Sequence, residues 1–153
     1  QNIEITDVGS LRADSITIRN GPALDIGPAD EATVDGLQIS EYKNVALSIF
    51  ETDNVSIRNF LIQNKDGSGK AISVVGSELN DHFFQGTVRE LSSKALFNVG
   101  LGTYSNVSGT IRHDGTADPL CSSPISPTFE NVDLTLENET NGDTRYLRAE
   151  DCE

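Results

Sequence analysis

The chain repeats itself. Short apolar segments recur every 21 to 26 residues and fall into two alternating series. The first series is marked by Ile18, Ile39, Ile62, Val88 and Ile111. The second is marked by Ala23-Leu24-Asp25-Ile26, Ala46-Leu47-Ser48-Ile49, Ala71-Ile72-Ser73-Val74 and Ala95-Leu96-Phe97-Asn98-Val99. A fixed period of this length predicts stacked coils, because one such coil cannot bury its apolar side alone and its neighbours must complete the core. The repeat confines the architecture to a solenoid and says much less about function.

The connections between the two series are asymmetric. Ile5 to Ile16, Ile26 to Leu37 and Ile49 to Phe60 each span 11 residues. The return paths vary: 5 residues from Ile18 to Ala23, 7 from Ile39 to Ala46, 9 from Ile62 to Ala71 and 7 from Val88 to Ala95. One corner of each coil is therefore packed and the opposite corner is free to change length. In solenoids such insertions gather on one face, which is often the binding face.

The first-series strands are Ile16-Thr17-Ile18, Leu37-Gln38-Ile39, Phe60-Leu61-Ile62, Thr87-Val88 and Thr110-Ile111. Gly36, Asn59, Gly86 and Gly109 stand just before most of them, at positions where a left-handed bend fits residues that tolerate positive φ. Asn54, Asn80, Asn106 and Asn131 form a second near-periodic set, read as an asparagine stack running from coil to coil. After Asp118 the pattern changes. Pro119, Pro124 and Pro127 break the repeat, Phe129 to Leu136 reads as one further strand, and Asn141-Gly142 is a hairpin signal before Arg145-Tyr146-Leu147. The expected fold is all-β: a solenoid of about 5–6 short coils over residues 1–118, closed by a C-terminal cap over 119–153.

The balance of 24 acidic to 11 basic residues argues against nucleic acid, whose phosphates need a basic partner. Lysine is scarce, so a high-salt source and an ordinary acidic secreted protein both fit. No transmembrane run or signal peptide is read, and no membrane insertion is expected. Cys121 and Cys152 both lie in the tail, and a disulfide between them would stabilise it by about 3–4 kcal/mol and imply an oxidising, extracellular setting. Ile3-Glu4-Ile5 reads as a second-series strand with no first-series strand before it, so an upstream domain or a partner is expected to cover that end.

Three segments carry a resemblance: Thr33-Val34-Asp35-Gly36-Leu37-Gln38-Ile39, Asn54-Val55-Ser56-Ile57-Arg58-Asn59-Phe60 and Asn106-Val107-Ser108-Gly109-Thr110-Ile111. With them the chain resembles the right-handed parallel β-helix family of pectate lyases, polygalacturonases and phage tailspikes, over about three quarters of its length. The resemblance implies a right-handed coil and admits two kinds of protein, polysaccharide-cleaving enzymes and structural spikes. The polygalacturonase pattern of an Asp-Asp pair and Gly-His-Gly is absent, and Glu51-Thr52-Asp53 only echoes its Asn-Thr-Asp strand. Hydrolysis needs two carboxylates facing each other across a groove. Glu51 and Asp53 are the only candidates for that work, and solvated turn residues are the plainer reading. His82 and His113 lie outside any such motif.

Asn64, Asp66 and Ser68 space oxygen atoms as a calcium loop does, but Val75 stands where a bidentate acid is needed, so a solenoid turn is the better reading. No cofactor is expected. The variable connections hold Arg19, Lys43, Lys65, Lys70, Arg89 and Lys94 against three acids, whereas the opposite connections are strongly acidic. Stacking would make one basic edge, able to dock an anionic glycan or the acidic edge of a neighbouring copy. Asn54, Asn106 and Asn138 each head a glycosylation sequon; the first two fall in the asparagine stack, which leaves Asn138 as the candidate.

Two functions follow as expectations. One is a non-catalytic extracellular structural or adhesion module of a virion spike, tail fibre or cell-surface appendage, assembling as a trimer or an end-to-end filament. The alternative is a polysaccharide lyase or glycoside hydrolase.

Overall fold

The computed structural model describes residues 3–6, 8–21, 23–65, 69–90, 96–116 and 127–148. It is an all-β parallel solenoid of about five turns. Short strands β1 (Ile3–Ile5), β3 (Leu24–Ile26), β5 (Val45–Phe50), β7 (Lys70–Val75) and β9 (Phe97–Val99) pair in that order into one parallel sheet. They are the second series of the sequence. A second sheet is built from long strands: β2 (Val8–Arg19), β4 (Ala29–Ser40), β6 (Val55–Gln63), β8 (Glu78–Arg89) and β10 (Thr103–His113).

The 11-residue connections are therefore strand rather than turn. Each long strand has two legs, and the first-series segments are only the second legs. In the first three coils the legs meet at Ser15, Gly36 and Asn59, which stack in register with φ of 60°, 76° and 51°. A single left-handed residue shifts the alternation by one place. That is why buried Ala32 and Val34 are followed by buried Leu37 and Ile39, with both legs turned inward.

The fourth coil drops this bend. Arg58 faces Gln85 and Phe60 faces Gly86, so Asn59 is looped out of the ladder. The expectation of a left-handed Gly86 is corrected here. Its backbone is not left-handed; it is glycine because a Cβ would lie 2.3 Å from the Phe60 ring. Gly109 does take positive φ, 120°, and a Cβ there would lie 1.9 Å from the carbonyl oxygen of Phe84.

The asparagine stack is also corrected in one member. Asn54, Asp81, Asn106 and Asn131 occupy successive coils with left-handed φ, and Asp81 takes the place expected for Asn80. Asn80 instead donates its backbone N–H to Asp53 Oδ1 at 2.7 Å.

The core is a continuous apolar column. Phe84 sits at its middle, fully buried and edge-on to Phe97 at 5.3 Å between ring centroids. Truncating a side chain such as fully buried Ile57 to alanine removes transfer energy and opens a cavity, about 2–5 kcal/mol in all. Two buried histidines interrupt the apolar rows of the long strands. His82 lies level with Val55 and Val107, and His113 lies level with Val88.

The solenoid runs past residue 118. Strands β11 (Thr128–Glu130) and β12 (Asp133–Asn138) both add in parallel to β10, so this part of the 119–153 segment is a further coil rather than a cap. Among the described residues only β13 (Thr144–Tyr146) runs antiparallel, along β12, through a hairpin turn that contains Asn141-Gly142. Cys121 and Cys152, with the disulfide expected between them, lie outside the described residues.

Candidate functional site

The second legs of the long strands present an outer face whose rows follow from alternation. One outward row is Thr17, Gln38, Leu61, Thr87, Arg112 and Glu137, one residue from each successive strand. A parallel row is Arg19, Ser40, Gln63 and Arg89. Between them runs an open trough. Its first section, of about 330 Å³, is bordered by Arg19, Glu41 and Lys65. The next, of about 380 Å³, shares Leu61 and Gln63 with it and adds Arg89. A separate hollow of about 410 Å³ lies on the other side of the Thr87, Arg112 and Glu137 row, between it and Gln85 and Thr110. Three steps of about 4.8 Å, from β2 to β8, make the trough roughly 14 Å long.

Its chemistry is graded. Amides and hydroxyls share its lining with an apolar strip of Ile18, Ile39, Leu61 and Phe60. At the β8 end the cation is already matched: Arg89 pairs with Glu139 at 3.0 Å, as Arg112 does with Glu137 at 3.2 Å on the row beyond. Gln63 donates to Glu90 at 2.8 Å. At the β2 end, Arg19 and Lys65 have no ion-pair partner among the described residues.

The expected basic edge is thus divided. Arg19, Lys65 and Arg89 come together along the trough. Lys43 stands on the exposed corner after β4. Lys70 turns the other way, into β7, where its Nζ lies 3.4 Å from Asn98 Oδ1 beside a buried Ser73. Lys94 lies outside the described residues. Arg112, Gln38 and Gln63 were not singled out in the sequence. The signal for them was present: each is the outward member of an alternating strand whose neighbours point inward.

The other candidates have structural surroundings. Asp53 Oδ1 caps the Asn80 N–H, and exposed Glu51 holds a left-handed φ of 45° while its N–H donates to the Val75 carbonyl. Asn64 is buried, and its amide donates to the Tyr42 carbonyl at 2.8 Å, which turns it into the corner instead of toward a cation. Asp66 and Ser68 lie outside the described residues. Among the described residues no group of three or more His, Cys, Asp or Glu side chains is assembled as a metal site.

The buried polar groups are set by burial first. Desolvation pushes His82 below the ordinary histidine value, and its Nε2, 2.7 Å from the Thr52 carbonyl, with Asp53 and Asp81, pulls back only in part. His113 is lowered by burial too. Burial drives Tyr42 well above the usual tyrosine range; its hydroxyl has no hydrogen-bond partner among the described residues, although the Asn64 side chain offsets part of the shift. Tyr104, which donates to the Gly100 carbonyl at 2.9 Å, is raised by burial to about 12.

No protein family, characterised protein or solved structure is detectably similar to this chain.

Proposed function

We propose that this chain is a non-catalytic extracellular module, part of a spike, fibre or cell-surface appendage, that binds an extended glycan along the flank of its solenoid. The observation that carries the reading is the trough. It is open and shallow, crosses four strands, and combines amides and hydroxyls with an apolar strip, with Arg19 and Lys65 at one end of an otherwise strongly acidic protein. Such a surface suits a linear partner with many hydroxyls and an occasional negative charge. Of the two carboxylates that would serve cleavage, Asp53 is engaged as a turn cap.

The test is binding of an acidic polysaccharide to the intact protein and to an Arg19→Glu, Lys65→Glu double variant. Binding that falls at least about tenfold in the variant supports the reading. Equal binding by both removes it. Release of reducing sugar that is lost in Asp53→Asn would replace it with the lyase or hydrolase alternative. Light scattering with electron microscopy of the same sample separates a compact trimer, a filament and a monomer.

A further inference from the structure

A second, smaller concavity of about 190 Å³ lies beneath the C-terminal hairpin, and it shares no lining residue with the trough. Its apolar part is Leu136 and Gly115. Its polar wall comes from three places in the fold: His113 at the end of β10, Asn138 at the end of β12, and Asn141, Asp143 and Arg145 on the hairpin.

The hydrogen bonds already made decide what this wall still offers. His113 is only 5% exposed, and its Nδ1 accepts the Gly115 N–H at 3.1 Å. The neutral ring therefore carries its proton on Nε2, which makes Nε2 a donor and withholds it from a metal. Asn138 Oδ1 accepts the Thr140 N–H at 2.9 Å, so what remains of that side chain is its NH₂. Asn141 and Asp143 are tied to each other: the Asn141 amide donates to Asp143 Oδ2 at 2.8 Å, and the Asp143 N–H donates to Asn141 Oδ1 at 2.9 Å, which leaves Asp143 Oδ1 as an acceptor. The unspent donors are His113 Nε2–H, Asn138 Nδ2–H₂ and the Arg145 guanidinium, none of which has a hydrogen-bond acceptor among the described residues. These three donors outnumber that one acceptor, and they border one small cavity.

Three donors in one concavity select an oxyanion. The surrounding charge selects which kind. Asp114 and Glu139 lie within electrostatic reach of His113, and Asp143 is on the wall. A dianion such as sulfate or phosphate meets that field twice over, whereas a carboxylate meets it once. We propose that this concavity is a binding site for a small carboxylate ligand, held by Arg145, His113 Nε2–H and Asn138 Nδ2–H₂. The site is independent of the trough, and neither reading rests on the other.

The probe is D-glucuronate, a carboxylate of one sugar ring, titrated into ¹⁵N-labelled protein while the imidazole signals are followed by NMR. His82, buried under the Thr52 carbonyl, is the internal control for fold. A saturable shift at His113 with His82 unmoved is expected, with no response to glucose. Arg145 is exposed, so Arg145→Gln leaves the fold intact and should weaken binding by about tenfold or more. Asn138→Asp, which replaces a donor with a charge of the wrong sign, should abolish it. An unsaturable shift, an equal response to glucose, unchanged affinity in Arg145→Gln, or sulfate binding as tightly as glucuronate would each overturn the proposal. A native protein whose intact mass places a glycan on Asn138 would overturn it as well, because that nitrogen would no longer be a free donor.

Discussion

Asn131 donates its side-chain amide to Asn106 Oδ1 at 2.7 Å, and Asn106 donates in turn to Asp81 Oδ1 at 3.0 Å. The three residues hold left-handed φ of 53°, 56° and 59° on successive coils. Asn and Asp are suited to this twice over: they tolerate the backbone better than other residues with a Cβ, and their short side chains reach the coil above or below. Conformation and hydrogen bonding thus reinforce each other at one corner of the solenoid.

That double role can be separated by mutation. Asn106→Gly removes the two side-chain bonds and keeps an easy left-handed backbone, so it should cost about 1 kcal/mol. Asn106→Ala loses the same bonds and adds left-handed strain, for roughly 2–3 kcal/mol in total. Urea titrations of both variants check the order. An equal loss would mean that backbone strain has no part.

Two glycines with positive φ should respond very differently to alanine. At Gly142, φ is 79° and a Cβ meets nothing within 4 Å, so only conformational strain of about 1 kcal/mol is expected. At Gly109 the added Cβ runs into the Phe84 carbonyl, and the two coils must part. Gly109→Ala should lose more than about 3 kcal/mol or fail to fold, as read by thermal melting beside the wild type.

Acid should weaken the fold through its two buried histidines. Both have folded values lowered from 6.5 by desolvation, so the unfolded chain takes up protons that the folded chain refuses. Their contribution is complete above pH 6.5 and is lost as pH falls below 6.5 toward the folded values. Asp114 adds a lower window. Burial raises its carboxyl, but hydrogen bonds from the Thr116 side chain and from the backbone of Glu90 and Thr116 outweigh that and hold it below 3.8. The melting temperature should therefore decline between pH 7 and 5 and decline less in His82→Gln, whose amide can still donate to Thr52 without taking up a proton. An identical slope in that variant would remove His82 from the explanation.

The ion pairs beside the trough should matter little to stability. Arg112 and Glu137 are both substantially exposed, so a double-mutant cycle to alanine should give a coupling of about 0.2–1 kcal/mol that disappears in high salt. Chemical denaturation in low and high salt measures it, and a coupling that survives in high salt would contradict a solvent-screened pair.

Much of the fold was legible because burial imposes its own period. Leu47, Ile49, Ile72 and Val74 recur as they do because each must cover the coil beneath it. The first legs were harder to see. Val8–Asp14 and Glu78–Gln85 mix polar and apolar residues, since one side faces solvent, and they read as connections. The substitution of Asp81 for Asn80 in the corner ladder was hidden because the choice between adjacent Asx residues is made by register. Of the candidate site, the charges at Arg19, Lys65 and Arg89 could be found along the chain. The trough itself could not, because its walls come from strands more than 20 residues apart. The hairpin concavity was less visible still: what it offers depends on which polar atoms are already spent, and no spacing reports that.

Every ladder bond between coils points along the axis of the solenoid, so a load applied at the two ends falls directly on them. Such a chain gives way from an end, one coil at a time, because each coil is held only by the coils above and below it. Phe50 and Val75 are level neighbours 25 residues apart. Each coil released would therefore pay out roughly 85 Å of slack at about 3.4 Å per residue. A chain built this way lengthens in steps under tension instead of breaking at once, and re-forms by the same register when the load is removed.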